Sequence, residues 1–383
     1  MSKSVVAAGH ICLDITPSIE KQTSSGISDI FAPGRLINVG DADIHTGGSV
    51  ANTGLAMKIL GADVTLAGKI GTDDFGDMII SIVSKYDAAS GLIRSKDDST
   101  SYSVVLAVPG IDRIFLHNPG ANNTFCADDL PMDAINNAAL FHFGYPPLMK
   151  RIYENNGEEL VKIMRAAQEA GAATSLDLAA VDPDTPAGKA DWKKILANAL
   201  PYVDIFEPSI EELLFMLDRT KYEELRKNNP DSDLTEIVDL ERDIMPLGKT
   251  CMELGAEIVL IKCGVPGMYY CTASSEKLGT ISPRLGLKVA VWADKSGFET
   301  SFVPDKVLSG TGAGDTSVAA FLTSILNGCT PEQSIRYAAA TGACCVSAYD
   351  SLSGLLSFEE IDEKIAGGWK KRPLTENRLR EKY

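Results

Sequence analysis

The sequence predicts an α/β fold: a mostly parallel central sheet covered by helices on both faces, with a small β element beside it. Three observations predict it. Short β-rich runs alternate with helical patterns over most of the 383 residues, as parallel strands joined by helical crossovers require. The stretch 15–45, rich in Gly, Ser, Thr and Asp, breaks that rhythm and, with the two strand-like runs of 97–118, could build a small β element beside the sheet. The composition, 45% hydrophobic and 23% charged, is globular, and the chain is long enough to bury a large core.

The elements follow in order. Residues 4–12 read as a first buried strand, 48–60 as a helix ending at Gly61, and 63–70 as a strand. A helix is expected over 74–86, then strands 101–108 and 113–117 around a hairpin turn at 109–112. Next come strand 139–143, helix 157–170, strand 172–178, helix 192–200, strand 202–206 and helix 209–217. Residues 220–244 carry 12 charges in 25 and read as a solvated helical insertion. Strands 257–263 and 268–271 follow, and the chain is mostly helical from Gly314. Residues 370–383, six basic and two acidic, read as an exposed tail.

The charge narrows the function classes. With 36 Lys+Arg against 52 Asp+Glu the net charge is −16, which argues against a nucleic-acid or membrane-surface partner. No apolar run reaches the ~18 residues of a membrane helix. The eight cysteines form no CxxC pair and suggest free thiols and a cytoplasmic setting, and the four histidines are scattered. A small anionic ligand held by backbone amides and a metal stays open.

The sharpest local feature is Ser309-Gly-Thr-Gly312-Ala313-Gly314-Asp315-Thr, followed at once by a helical run. A glycine turn opening a helix offers unpaired N–H groups and the positive end of the helix dipole to an anion. A Walker loop needs a Lys after the glycines, and a dinucleotide fingerprint needs GxGxxG after an early strand; neither is present. The remaining reading makes Asp315 a base beside an amide cradle, against the plainer one in which it caps a helix.

The order of motifs then bears on the choice. Gly47-Gly48-Ser-Val-Ala-Asn52, Gly68-Lys-Ile-Gly71-Thr-Asp-Asp-Phe-Gly76 and Thr311-Gly-Ala-Gly-Asp315 resemble, in order and spacing, the two signatures of the ribokinase (PfkB carbohydrate kinase) family. The resemblance runs from about residue 5 to about 360. It implies a ribokinase-like three-layer α/β/α sandwich over 1–369, with lid segments at 15–45 and 97–118 and the insertion at 220–244. It implies an ATP-dependent sugar kinase that phosphorylates a hydroxyl, expected to be primary. Asp315 is then the general base and Gly312, Ala313 and Gly314 the anion hole. Asp14, Gly47, Gly48, Asn52 and, in the lid, Arg113 would meet the sugar. Ser209, Lys262, Gly264, Gly267 and Ala339 would line the nucleotide, and Glu212 would help hold magnesium through water.

Each residue also has a plainer reading. Ser209-x-x-Glu212 is a capping box, Lys262 is a strand-end cation, Ala339 is close helix packing, and Arg113 is an exposed hairpin cation. Family members usually carry Asp-Thr before the glycine core, where the Asp helps hold a monovalent cation; here Ser309-Gly310 stands there. The partners implied are a sugar and ATP, and family habit adds a homodimer through the lid. A nucleoside or small-alcohol kinase and a catalytically silent sugar- or nucleotide-binding protein are the alternatives.

Overall fold

The structure is a computed structural model describing residues 3–19, 34, 36–108, 114–230 and 232–373. An eight-stranded sheet forms its centre, in the order β14-β13-β12-β11-β10-β9-β1-β4. The strands are β1 (Ser4–Gly9), β4 (Asp63–Ala67), β9 (Leu140–Gly144), β10 (Ala173–Asp177), β11 (Ile205–Phe206), β12 (Ile258–Lys262), β13 (Gly267–Thr272) and β14 (Ser296–Thr300). From β4 to β12 every pairing is parallel; β13 and β14 run antiparallel at the edge.

Period-two alternation splits β1 between two cores. Val6 and Ala8 join Phe141, Phe143 and Phe206 under the helices Glu158–Glu169 and Trp192–Ala199. Val5 and Ala7 join the opposite face, under Ser49–Ile59 and Ala313–Leu326. Both faces are therefore apolar, as a sheet buried between helix layers requires.

A second sheet, in the order β3-β2-β7-β8, is the expected lid. It comprises β2 (Cys12–Pro17), β3 (Ala42–Gly47), β7 (Tyr102–Leu106) and β8 (Ile114–Asn118). A short third pair joins β5 (Lys69–Gly71) to β6 (Ile93–Ser95).

Several expectations change. The strand expected over 4–12 breaks at Gly9, whose φ of +124° lets the chain leave the central sheet for the lid. A Cβ there would lie 2.9 Å from the Gly144 amide nitrogen of β9. The run 63–70 likewise divides at Gly68, where a Cβ would press on Ile11 at 2.7 Å. In 202–206 only Ile205 and Phe206 are strand, and β14 is an addition.

The insertion is helical over Arg219–Asn228 but not wholly solvated. Leu234, Val238 and Ile244 are buried, and the buried Asp243 pairs with the partly exposed Lys221. The basic tail begins as a paired segment: the Val303 amide donates to Lys370 O at 2.8 Å and the Arg372 amide to Ser301 O at 2.9 Å. Arg113 and the 109–112 turn lie outside the described residues. No helix among the described residues is long and apolar enough to cross a membrane.

Candidate active site

Ligands of open α/β sheets bind beyond the carboxyl ends of the strands. Here those ends deliver His10 after β1, Tyr145 after β9, Asp177 at the end of β10, Ser209 after β11 and Lys262 at the end of β12. All but the fully buried Asp177 line a cleft of about 1070 Å³. The lid supplies Cys12, Asp14, Ser103, Phe115 and His117 to one end. Phe302, Pro304, Ala339, Ala343 and Val346 make the other end apolar.

Asp315 sits between the two ends, on the first turn of Ala313–Leu326, and is only 3% exposed. Its Oδ2 accepts from Asn52 Nδ2 at 2.9 Å and from the Tyr145 hydroxyl at 2.8 Å, while Oδ1 is buried without a hydrogen-bond partner. Burial raises the carboxyl's pKa, against the opposing pull of Asn52, Lys262 and Tyr145. The plain helix-cap reading fails, because Asp315 lies inside the helix and Gly312 stands at its N-cap with φ +75°. The Ala313 amide closes the turn on Gly310 O at 3.4 Å.

Gly47 and Gly48 are sterically required. A Cβ on Gly47 would lie 2.6 Å from Asp14 Cγ, and one on Gly48, with φ +82°, 2.5 Å from His10 O. Asp14 itself is 7% exposed and takes a hydrogen bond from the Cys12 thiol at 3.3 Å. His117 joins Ser103 Oγ at 3.0 Å and His10 Nε2 at 3.3 Å; burial lowers the pKa of both imidazoles, so they stay neutral.

Along the wall formed by Ser209, Glu212 and Lys262 the plainer readings hold in part. Ser209 and Glu212 do form the capping box, with the Ser209 amide donating to Glu212 Oε2 at 2.6 Å, yet both face the cleft. Lys262 pairs with Asp177 at 2.5 Å, both largely buried, and lines the cleft beside Gly314. Gly264 has φ +62° and a Cβ there would meet Thr235 Oγ1 at 2.9 Å; Gly267, φ +135°, is needed for β13 to pass β14. Gly342, one turn from Ala339, lies against Ser317, where a Cβ would be 2.5 Å from Oγ, so this helix packs closely as well as lining the cleft.

Asn52 lines the cleft as expected of a site residue, and its amide is also engaged by Asp315 and by Ser351 Oγ, which donates to Oδ1 at 2.9 Å. Sequence reasoning missed His10, Cys12, Ser103, His117, Tyr145 and Ser351. Tyr145 follows the expected strand 139–143 and was reachable by the strand-end rule. Ser351 lies 299 residues from Asn52 and carries no local signal.

A lidded α/β sandwich with a buried carboxylate beside a glycine-opened helix defines a small-molecule phosphotransferase with a hydroxyl acceptor. The chain belongs to the pfkB family of carbohydrate kinases, whose family model matches residues 2–356. It is 25% identical to a probable fructokinase-4 of Arabidopsis thaliana over 95% of this chain and 97% of that protein. Its fold matches Arabidopsis thaliana ribokinase complexed with ribose and ATP at a TM-score of 0.67, 20% identity, over 95% of this chain and 98% of that one. It also matches a putative ribokinase II from E. coli in complex with ATP and magnesium at 0.68, 20% identity, over 96% and 100%.

Proposed function

We propose that this carbohydrate kinase transfers the γ-phosphoryl group of ATP to a hydroxyl of a sugar, expected to be a primary one, with Asp315 as general base. The observation that carries the reading is Asp315, a cleft-lining carboxylate whose Oδ1 is buried with no hydrogen-bond partner. A base held above the usual carboxylate range by burial is better matched to proton uptake near neutral pH.

Asp14, at the lid end, has a carboxylate that can accept from sugar hydroxyls, with Gly47 and Gly48 giving the room. Arg113 is proposed with the sugar, as a lid residue. Gly312, Ala313 and Gly314 offer an anion a helix N-terminus free of bulk. Ser209, Lys262, Gly264, Gly267 and Ala339 form the wall proposed for ATP. Glu212 lines the cleft, and its carboxylate suits magnesium held through water; Asp177, fully buried, pairs with the cleft-lining Lys262 behind it. When bound, magnesium would supply charge neutralisation at the phosphates. Strands β2, β7 and β8 close over the sugar and exclude water. Residues 1–369 act as one kinase domain, with 370–383 a basic tail.

The relatives named fructokinase and the neighbour holding ribose make ketohexoses and pentoses the first sugars to try. An ADP-release panel of sugars and nucleosides, with and without potassium, tests the substrate class. Asp315→Asn is expected to lower turnover at least ~100-fold, with ATP binding kept. Near-normal turnover would remove Asp315 from the role.

A further inference from the structure

The two oxygens of Asp315 are not equivalent, and residues outside the glycine loop make them so. Tyr145 approaches from the end of β9, its hydroxyl donating to Oδ2 at 2.8 Å. It does so from a left-handed backbone, φ 67° and ψ 42°, which a non-glycine residue adopts at a cost. Asn52 Nδ2 donates to the same oxygen at 2.9 Å. The orientation of that amide is set from elsewhere: the Ser351 hydroxyl donates to Asn52 Oδ1 at 2.9 Å, which turns Nδ2 toward Asp315. Ser351 is 4% exposed and packs against Gly312, where a Cβ would lie 3.3 Å from Ser351 Cα.

We propose that Tyr145 and Ser351 are positioning residues for the phosphoryl-transfer base: together with Asn52 they saturate Oδ2 of Asp315 and leave Oδ1 as the single oxygen that takes the substrate proton. This rests on the assignment of Asp315 as base. A carboxylate tethered through one oxygen cannot rotate to present its occupied edge, so the free oxygen stays aimed at the acceptor hydroxyl. The chain Ser351–Asn52–Asp315–Tyr145 also joins the glycine turn to the sugar end of the cleft, so the base is aligned by both.

The test compares Tyr145→Phe, Ser351→Ala and Asp315→Asn in the full chain, with circular dichroism to establish folding. Tyr145→Phe keeps the ring and removes the donor. The expected result is a fall in kcat of about 10-fold or more, with KM for the sugar within about 2-fold, because the interaction serves the reacting state. The Tyr145 hydroxyl lowers the pKa of Asp315, so its removal should shift the acid limb of the kcat profile to higher pH. Ser351→Ala should lower kcat in the same direction, and it carries the test if Tyr145→Phe does not fold. Wild-type kcat and an unmoved acid limb in the folded variants would overturn the proposal while Asp315→Asn stays inactive. Turnover surviving in Asp315→Asn would instead remove the base assignment.

Discussion

Gly312 and Gly314 stand two residues apart in one turn and should respond in opposite ways to an added methyl group. At Gly314 the backbone is ordinary helix, and a Cβ would meet only the Lys262 side chain, 3.7 Å from Cδ and 3.8 Å from Nζ. That is van der Waals contact without overlap. Gly314→Ala should therefore stabilise the fold by ~0.4–1 kcal/mol, through loss of unfolded-state freedom. Unfolding entropy near 2.1 cal/mol/K per residue is ~0.8 kcal/mol/K for this chain, so Tm should rise by about 1 °C. The methyl group would nevertheless stand in the cleft where the phosphoryl group is proposed to lie. Removing or blocking one such backbone donor costs ~100-fold or more in turnover in comparable sites, and a loss of at least ~10-fold is expected here. At Gly312 the φ of +75° costs an L-residue ~1–2 kcal/mol, and the Cβ would overlap buried Ser351, adding ~1–3 kcal/mol. Gly312→Ala should lose about 2–5 kcal/mol and about 3–6 °C. Calorimetric melts and ADP release on the same preparations read both quantities. Gly314→Ala destabilised as much as Gly312→Ala, or fully active, would refute the assignment of one glycine to the fold and the other to the ligand.

Two further outcomes are expected. Lys262→Met strands the Asp177 carboxylate, which has 0% exposure and an unpartnered Oδ2, and should cost ~3–5 kcal/mol by denaturant unfolding; adding Asp177→Asn should recover most of it, and a single variant as stable as wild type would mean the pair is not charged. His142 is pushed down to about 3 by burial and then by Lys262, so below pH ~6.5 the unfolded chain binds a proton that the folded ring refuses. Its stabilising contribution is complete well above the unfolded value and is lost as pH falls, by about 1.6 kcal/mol between pH 6.5 and 5. Denaturant curves for wild type and His142→Gln should differ by that amount over this interval, and parallel curves would show that the ring titrates normally.

The alternation of strands and helices was legible because each element carries its own period, and the glycine turn because its run of small residues opens a helix at Gly312, whose φ of +75° favours glycine. Three things were not legible, for physical reasons. The chain leaves the sheet at Gly9 while Ile11 and Leu13 remain fully buried, so hydropathy continues across the break and conceals it. Ser209 and Glu212 had two readings because a capping box and a polar cleft wall need the same residue types; the structure gives them both positions at once. The motif marked Asn52 as a site residue but gave no sign of its bonds to Asp315 and Ser351. Those partners are 263 and 299 residues away, and only the folded chain brings them together.

The placement of charge bears on the metal. Asp177, Glu207 and Asp315 are buried together at the strand ends, and burial raises all three carboxyls, Asp177 to about 7 despite Lys262. Glu207 lies behind the cleft, where its carboxylate accepts from Ser175 Oγ at 2.9 Å, and Ser175 Oγ in turn sits 2.7 Å from His142 Nδ1. Among the described residues lining the cleft, Lys262 and Arg372 are the cations, and Lys262 is already engaged by Asp177. An anionic nucleotide entering alone would meet six cleft-lining carboxylates, Asp14, Asp182, Glu211, Glu212, Asp233 and Asp315, against Arg372 and the helix N-terminus as free positive charge. A divalent cation arriving with it changes the sign of that interaction and gives the cleft carboxylates, Glu212 among them, a positive partner. The chain's surplus of acid therefore supports a nucleotide bound as its magnesium complex, and turnover should vanish with chelator and return with the metal.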